Sequence, residues 1–344
     1  MKRILYGVSP IGLGHATRAS AVAALLRSEG AEVTFASGGV AAEYLRSCGF
    51  ATEDVVAGAT PAVSGGEMKR AALWYARYWW GYRKTRKRLL ALLGRHSPDL
   101  VVGDEEFAGV SIAMEKGLEH ALVTDEVELG FARTAAARAV ESRVSRWYAK
   151  LLSEASVVLI PDFGEDSGNR RHTGPIVRRV TKQRKELEAE FSLPPEGRMV
   201  LLSLSGSGAG GHLVEAGLRG FAEASLPGAY MVIAGNREKR AKAPGVHDVG
   251  MVWENQNLVA AADLVVSTAG KSTIDEAASS GTPIIALPIR NHAEQERNAA
   301  ALGYVPGDEG RLGELIRERV GKRQAPKGYR GAEEAARILL SMAK

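Results

Sequence analysis

Short apolar runs recur along the whole chain, at Ile4–Val8, Val33–Ala36, Leu100–Val102, Ala121–Thr124, Val157–Ile160, Val200–Leu204, Tyr230–Ala234, Leu264–Ser267 and Ile284–Leu287, with helix-like stretches between them. Runs this short and this apolar suit strands covered on both faces, and strands separated by helices pair in parallel. The pattern points to an α/β class with parallel sheets, although it does not contain the order of strands within a sheet. A length of 344 residues suits two domains, each burying its own core. Hydrophobic residues at 45% and charged residues at 25% are ordinary for a soluble globular chain. No stretch offers the roughly 18 apolar residues of a spanning helix, and Ile4–Val8 is too short for a signal peptide. The lone Cys48 excludes an internal disulfide and a cysteine zinc site, and it fits a reducing, cytoplasmic setting.

The stretch between Asp263 and Asn298 carries the most chemistry. Leu264–Val266 and Ile284–Leu287 read as buried strands. Between them, Ala269, Gly270, Lys271, Ser272 and Thr273 set backbone N–H groups and hydroxyls at a helix N-terminus, a ready seat for phosphate. Glu276 falls one turn into that helix, near enough to meet a sugar hydroxyl, and Glu294, Gln295 and Asn298 return beside the same mouth. A phosphate seat, a carboxylate and amides on one βαβ unit suit a nucleotide sugar. Gly270-Lys271-Ser272-Thr273 also imitates the end of a triphosphate P-loop, but that motif needs a glycine where Val265 stands. An ordinary αβ connection is the plain competing reading.

This stretch resembles the donor-site signature of GT-B glycosyltransferases, above all the relatives of MurG and the UDP-glucuronosyltransferases (families 28 and 1). The matching parts are Gly270 to Thr273, the ribose-binding acid Glu276 and the Glu294-Gln295-Glu296-Arg297-Asn298 element; Thr268-Ala269-Gly270 replaces the His-Gly-Gly of many members. The resemblance implies two Rossmann-like domains with parallel sheets facing a cleft. It implies an acceptor domain at 1–170, a nucleotide-sugar donor domain at 171–330 and a last helix, 331–344, returning to the first. The polar stretch Asp162–Asn169 and the restart at Thr173-Gly174-Pro175 mark the boundary. By the same resemblance Ser205, Gly206, Ser207 and Gly208 lie against the diphosphate, while Val252 and Trp253 pack on the base, uracil being the family default. A flexible turn for the first group and a core aromatic for Trp253 stay open as plain readings.

The loop Ser9–Arg18 follows the first strand. Its Gly12 and Gly14 suggest a dinucleotide fingerprint, but Thr17 stands where a third small residue belongs and no acid follows the second strand. In the glycosyltransferase reading this loop borders the acceptor. His15 is the candidate general base, and Arg18 would favour anions. Asp104 with Glu105 and Asp125 with Glu126 follow later strands, and either pair could polarise His15 or act as the base; helix capping explains Asp104 and Asp125 equally well. The expected reaction is inverting, metal-independent and cofactor-free transfer from a UDP-sugar to a hydroxyl acceptor, lipid-linked or small. A UDP-sugar 2-epimerase of the same fold and a non-catalytic nucleotide-sugar-binding subunit are the alternatives.

Lys69 to His96 interleaves nine Lys and Arg residues and one His with Trp74, Tyr75, Tyr78, Trp79, Trp80 and Tyr82 and contains no acid. Such a helix lies on an anionic membrane, at the inner face, or packs its aromatics into a core beneath a solvated charged face. Nucleic acid is not expected as a partner, because no recognised binding motif accompanies the charge.

Overall fold

The computed structural model describes residues 1–58, 62–64, 67–69, 71–125, 135–204, 212–236 and 241–343. The chain runs β1 (Arg3–Val8), α1 (Gly14–Ser28), β2 (Glu32–Ser37), α2 (Gly39–Ser47), β3 (Ala51–Asp54), a hairpin of β4 (Ala62–Ser64) and β5 (Glu67–Lys69), and α3 (Ala71–His96). It continues through β6 (Leu100–Asp104), α4 (Phe107–Lys116), β7 (His120–Val123), α5 (Ala135–Glu154), β8 (Val157–Ile160) and β9 (Arg170–His172). Then follow α6 (Arg184–Phe191), β10 (Arg198–Ser203), α7 (His212–Ala224), β11 (Ala229–Ala234), β12 (Val246–Gly250) and α8 (Asn255–Ala261). The last elements are β13 (Leu264–Ser267), α9 (Lys271–Ser280), β14 (Ile284–Ala286), α10 (Ala293–Ala301), a short 3₁₀ turn, α11 (Leu312–Arg319) and α12 (Gly331–Met342).

The chain divides into two units. One comprises Met1–Ala62, Arg70–Val177 and Tyr329–Lys344; the other comprises Val63–Lys69 and Arg178–Gly328. The first is built on a seven-stranded sheet of order β3-β2-β1-β6-β7-β8-β9, parallel throughout. Its last helix, α12, packs on α1, and Lys2 Nζ donates to Leu340 O at 2.7 Å. The second is built on a five-stranded parallel sheet of order β12-β11-β10-β13-β14. Two Rossmann-like units on parallel sheets make up the GT-B architecture.

All nine apolar runs read from the sequence are strands. Those that lie inside the sheets are buried on both faces: Val101, Val102, Leu122, Leu159, Leu201, Leu202, Val265 and Val266 are 0–1% exposed. Helix α7 approaches β10 so closely that a Cβ at Gly217 would lie 2.8 Å from Leu202 Cδ2, so the absence of a side chain there sets the helix–sheet spacing.

Each sheet reverses its winding once, between β1 and β6 in the first and between β10 and β13 in the second. At such a reversal the following loops diverge to opposite faces and leave a crevice beyond the carboxyl ends of the strands. Replacing Leu202 by Ala beneath the second crevice should cost about 2–5 kcal/mol through lost transfer energy and a residual cavity. Urea unfolding followed by circular dichroism checks this; a variant as stable as the parent would mean that the α7–β10 packing does not limit stability.

Candidate active site

In the first unit the register places Val8, the last residue of β1, opposite Asp104, the last residue of β6. The chain leaves β1 through Ser9–Leu13, turning at Gly12 with φ +75°, and enters α1 at Gly14. His15 and Arg18, one helical turn apart, both come back onto Asp104. His15 Nδ1 lies 3.0 Å from Asp104 Oδ1. Arg18 Nε donates to Asp104 Oδ2 at 2.8 Å, its Nη2 to Oδ1 at 2.6 Å, and its Nη1 to both oxygens of Asp125 at 2.9 and 2.8 Å.

Asp104 is fully buried. Burial alone would raise its pKa, but the Arg18 guanidinium and the bond from His15 outweigh it and hold the carboxyl below the usual carboxylate range. An ionised carboxylate only accepts, so His15 Nδ1 carries the proton and Nε2 presents its lone pair. Burial, the largest single influence, would push the imidazole down; the hydrogen bond to Asp104 and the charges of Asp104 and Glu105 together outweigh it and lift the imidazole above its ordinary 6.5. Arg18, expected to favour anions at the loop, turns inward instead and is neutralised from both sides by Asp104 and Asp125. Glu126 lies outside the described residues.

Two further acids follow Asp104: Glu105, which the sequence offered with Asp104 as partner of His15 or base, and Glu106, to which it gave no role. Glu105 stands at φ +48°, in the left-handed region that a side chain enters at a cost of about 1–3 kcal/mol. Its Oε1 accepts from Thr124 Oγ1, which also meets Tyr148 Oη. Glu106, not Asp104, caps α4, accepting from the N–H of Ala108 at 2.9 Å and of Gly109 at 2.8 Å. Burial pushes the Glu106 carboxyl up to about 7 against the pull of those two N–H groups. Beside these acids lies a small cavity of about 20 Å³, walled by the Ser9–Ile11 loop, Val56–Gly58, Tyr78 and Tyr82 of α3, and Glu105–Phe107.

In the second unit, β10 and β13 end opposite each other at Ser203 and Ser267. Asn255 Nδ2 donates to Ser203 Oγ at 2.8 Å, and Ser267 Oγ is buried with no hydrogen-bond partner among the described residues. The chain then turns through Ala269, a buried residue at φ +58°, into α9. Gly270 is the N-cap and supplies no side-chain acceptor to the first turn of α9. Lys271 Nζ lies 3.2 Å from Asp275 Oδ2. Asn298 Nδ2 donates to Ala269 O at 3.1 Å, and Gln295 Oε1 accepts from Ile289 N at 3.0 Å, so both amides brace the loops at this mouth.

Glu276 is 5% exposed and held by Arg178, whose Nε donates to Oε1 at 2.7 Å and Nη2 to Oε2 at 3.2 Å; Nη1 donates to Trp253 O at 2.7 Å. Arg178 thereby ties the expected ribose acid to the strand-exit segment holding Val252 and Trp253, both half-buried. It too was passed over in the sequence, although it directly follows the extended restart Thr173–Val177. Ser205, Gly206, Ser207 and Gly208 lie outside the described residues.

Comparison with known proteins agrees with this geometry. Residues 240–310 match the glycosyltransferase family 28 C-terminal domain. An uncharacterised glycosyltransferase of Methanosarcina acetivorans is 25% identical over 323 residues, covering 87% of this chain and 83% of that protein. A UDP-N-acetylglucosamine–N-acetylmuramyl-(pentapeptide) pyrophosphoryl-undecaprenol N-acetylglucosamine transferase of a Nocardioides species is 28% identical over 221 residues, covering 61% of this chain and 58% of that one. Among solved structures, the glycotransferase of kitacinnamycin superposes with a TM-score of 0.66 at 16% identity, covering 100% of this chain and 99% of its own. These likenesses favour sugar transfer over the epimerase and the non-catalytic subunit.

The buried ion cluster makes an acid-stability prediction. Asp104 has a depressed folded pKa, so its contribution is present above the ordinary value of 3.8 and is lost as pH falls through the depressed one. Asp104→Asn, which strips Arg18 of a buried partner, should cost about 3–5 kcal/mol at neutral pH. The gap in melting temperature between parent and variant should close below pH 3.8. A gap that stays constant through the acid range would show that the carboxylate's charge is not what stabilises the cluster. On these grounds the chain is a glycosyltransferase of the GT-B fold, similar to family 28 over residues 240–310.

Proposed function

We propose that this enzyme transfers a sugar from a UDP-sugar to a hydroxyl acceptor with inversion and without a metal ion, using His15 as general base. The observation that carries the reading is the His15–Asp104 pair, which fixes the imidazole by Nδ1 at the β1/β6 winding reversal and leaves Nε2 to accept a proton. The acceptor oxygen attacks the anomeric carbon and its proton passes to Nε2. The bond from that carbon to the diphosphate breaks, and the departing oxygen keeps the electron pair. The second unit supplies what a departing diphosphate needs: the N-terminus of α9, whose N-cap Gly270 carries no side chain, with Lys271, Ser272 and Thr273. Glu276 keeps lone pairs for ribose hydroxyls while Arg178 holds it in place. Uracil as the base is supported by the UDP-sugar named for the Nocardioides relative.

His15→Ala should lower kcat by about 10²–10⁴-fold and leave UDP binding intact. In the parent, kcat/KM should rise with pH along a limb centred above 6.5, because the raised imidazole must lose its proton before it can act. Asp104→Asn should move that limb downward. Unchanged turnover in His15→Ala would remove His15 as the base, and failure to bind any uridine or thymidine diphosphate would remove the donor reading.

A second element concerns α3. Leu89 and Leu92 are 1% and 0% exposed and belong to the core, whereas Trp79 and Trp80 are 52% and 71% exposed. Arg83, Lys84 and Lys87 are exposed nearby, with Lys84 Nζ 5.9 Å from the Trp80 ring centre. Among the described residues no helix is long and apolar enough to cross a membrane. We propose peripheral contact of this face with an anionic bilayer, the tryptophans at the headgroup level. The parent should sediment with phosphatidylglycerol vesicles and release in high salt, and Trp80→Ser should weaken this several-fold at unchanged melting temperature. Equal sedimentation with neutral vesicles would contradict the electrostatic part.

A further inference from the structure

One oxygen of Asp104 is shared between two cationic partners. Its Oδ1 accepts from His15 Nδ1 at 3.0 Å, from Arg18 Nη2 at 2.6 Å and from Arg18 Nε at 3.0 Å. Negative charge engaged by the guanidinium is that much less available to the imidazole. On its far side the same guanidinium holds Asp125, just past the end of β7, with Nη1 donating to both carboxylate oxygens at 2.9 and 2.8 Å. His15, Asp104, Arg18 and Asp125 therefore stand in one row, with the arginine between the two carboxylates.

The row is shielded well enough for charge to act along it. The side chains of Asp104, Arg18 and Asp125 are 0%, 8% and 14% exposed. Coulomb attraction is far stronger in such a place than in water, and salt screens it little. Arginine keeps its proton. Two carboxylates and one guanidinium thus leave one negative charge while His15 is neutral, and none once it is protonated. Burial opposes the charged imidazole most strongly and Arg18 adds to that; the bond to Asp104 and the charges of Asp104 and Glu105 act the other way. Tyr6 of β1 is kept neutral by burial and by the charge of Asp104.

We propose that Asp125 is a positioning residue for the base: it neutralises Arg18 and so leaves the charge of Asp104 to draw a proton onto His15. The inference rests on the reading of His15 as general base and adds to it a residue that acts through Arg18. When the acceptor's proton reaches Nε2, the four groups become neutral as a set, so the charge of Asp125 favours the transfer. Without that charge the same step would leave a net positive charge in a buried place, where an uncompensated charge is costly. Arg18 then has two duties: it keeps Asp104 ionised, and it carries the influence of Asp125 to the imidazole.

The test is the proton affinity of His15, read by heteronuclear NMR titration of the full chain labelled at its histidines. The signal is assigned by its loss in His15→Gln. Asp125→Asn still accepts from Arg18 through its amide oxygen but carries no charge. It should lower the proton affinity of His15 roughly threefold or more, moving the titration to lower pH. Asp125→Glu keeps the charge and should titrate like the parent. Arg18→Gln combined with Asp125→Asn removes both charges together and should bring the titration back to the parent's position or above it. A titration that is unmoved or moves upward in Asp125→Asn overturns the proposal, even if that variant is less stable, because a purely structural role changes stability alone. The proposal also falls if Asp125→Glu titrates like Asp125→Asn, or if the double variant stays as low. Asp125→Ser, another uncharged acceptor, replaces the Asn variant if melting shows that it does not fold. None of these readings depends on turnover. Unchanged turnover in His15→Ala removes the base and leaves the titration result standing, whereas an inactive His15→Ala with a titration unmoved by Asp125→Asn removes this inference alone.

Discussion

The buried carboxylate of Asp104 is the interaction on which the first unit's chemistry depends. It sits at the end of a central strand with no exposure, where an unpaired charge could not persist, so everything near it is arranged to compensate. Arg18 supplies the counter-charge in a forked contact, and Asp125, just past the end of the next strand, balances Arg18 in turn. His15 completes the set, its tautomer dictated by an acceptor that cannot donate. A residue that looks like an anion binder in the sequence is therefore a structural counter-ion, and the resource left over for chemistry is one imidazole lone pair.

The second unit solves a related problem with different groups. Its expected ribose acid is also buried and also paired with an arginine, but Arg178 spans Glu276 and the Trp253 carbonyl, coupling two loops rather than two strands. Backbone strain marks both units at equivalent places. Glu105 follows β6 and Ala269 follows β13, each a left-handed non-glycine residue at the carboxyl end of a strand beside the winding reversal. Each is held by a neighbour's side chain: Thr124 on Glu105, Asn298 on Ala269. Strain of this kind persists only where the surroundings over-determine the conformation.

The sequence showed the sheets' interiors and, of their four margins, only β14. Every strand it revealed carries an apolar run. Three that it did not reveal, β3, β9 and β12, are edge strands with polar sequences (Ala51–Asp54, Arg170–His172, Val246–Gly250), because an edge is covered less fully and needs no such run. The site divides the same way. His15, Gly270 and Glu276 were legible because glycine turns after strands announce them. Glu106 as the cap of α4, Arg178 as the partner of Glu276, and the inward turn of Arg18 depend on which side chains meet across strand order, which no local pattern encodes.

The net charge of +5 illustrates the limit of reading composition as function. On α3 the cations Arg83, Lys84 and Lys87 are exposed, while Tyr78 and Tyr82 of the same helix line a cavity whose only charged walls are acidic among the described residues. One helix thus carries basic, tryptophan-bearing chemistry outside and aromatic, acid-flanked chemistry inside. The sum of charges says nothing about what the cavity accepts.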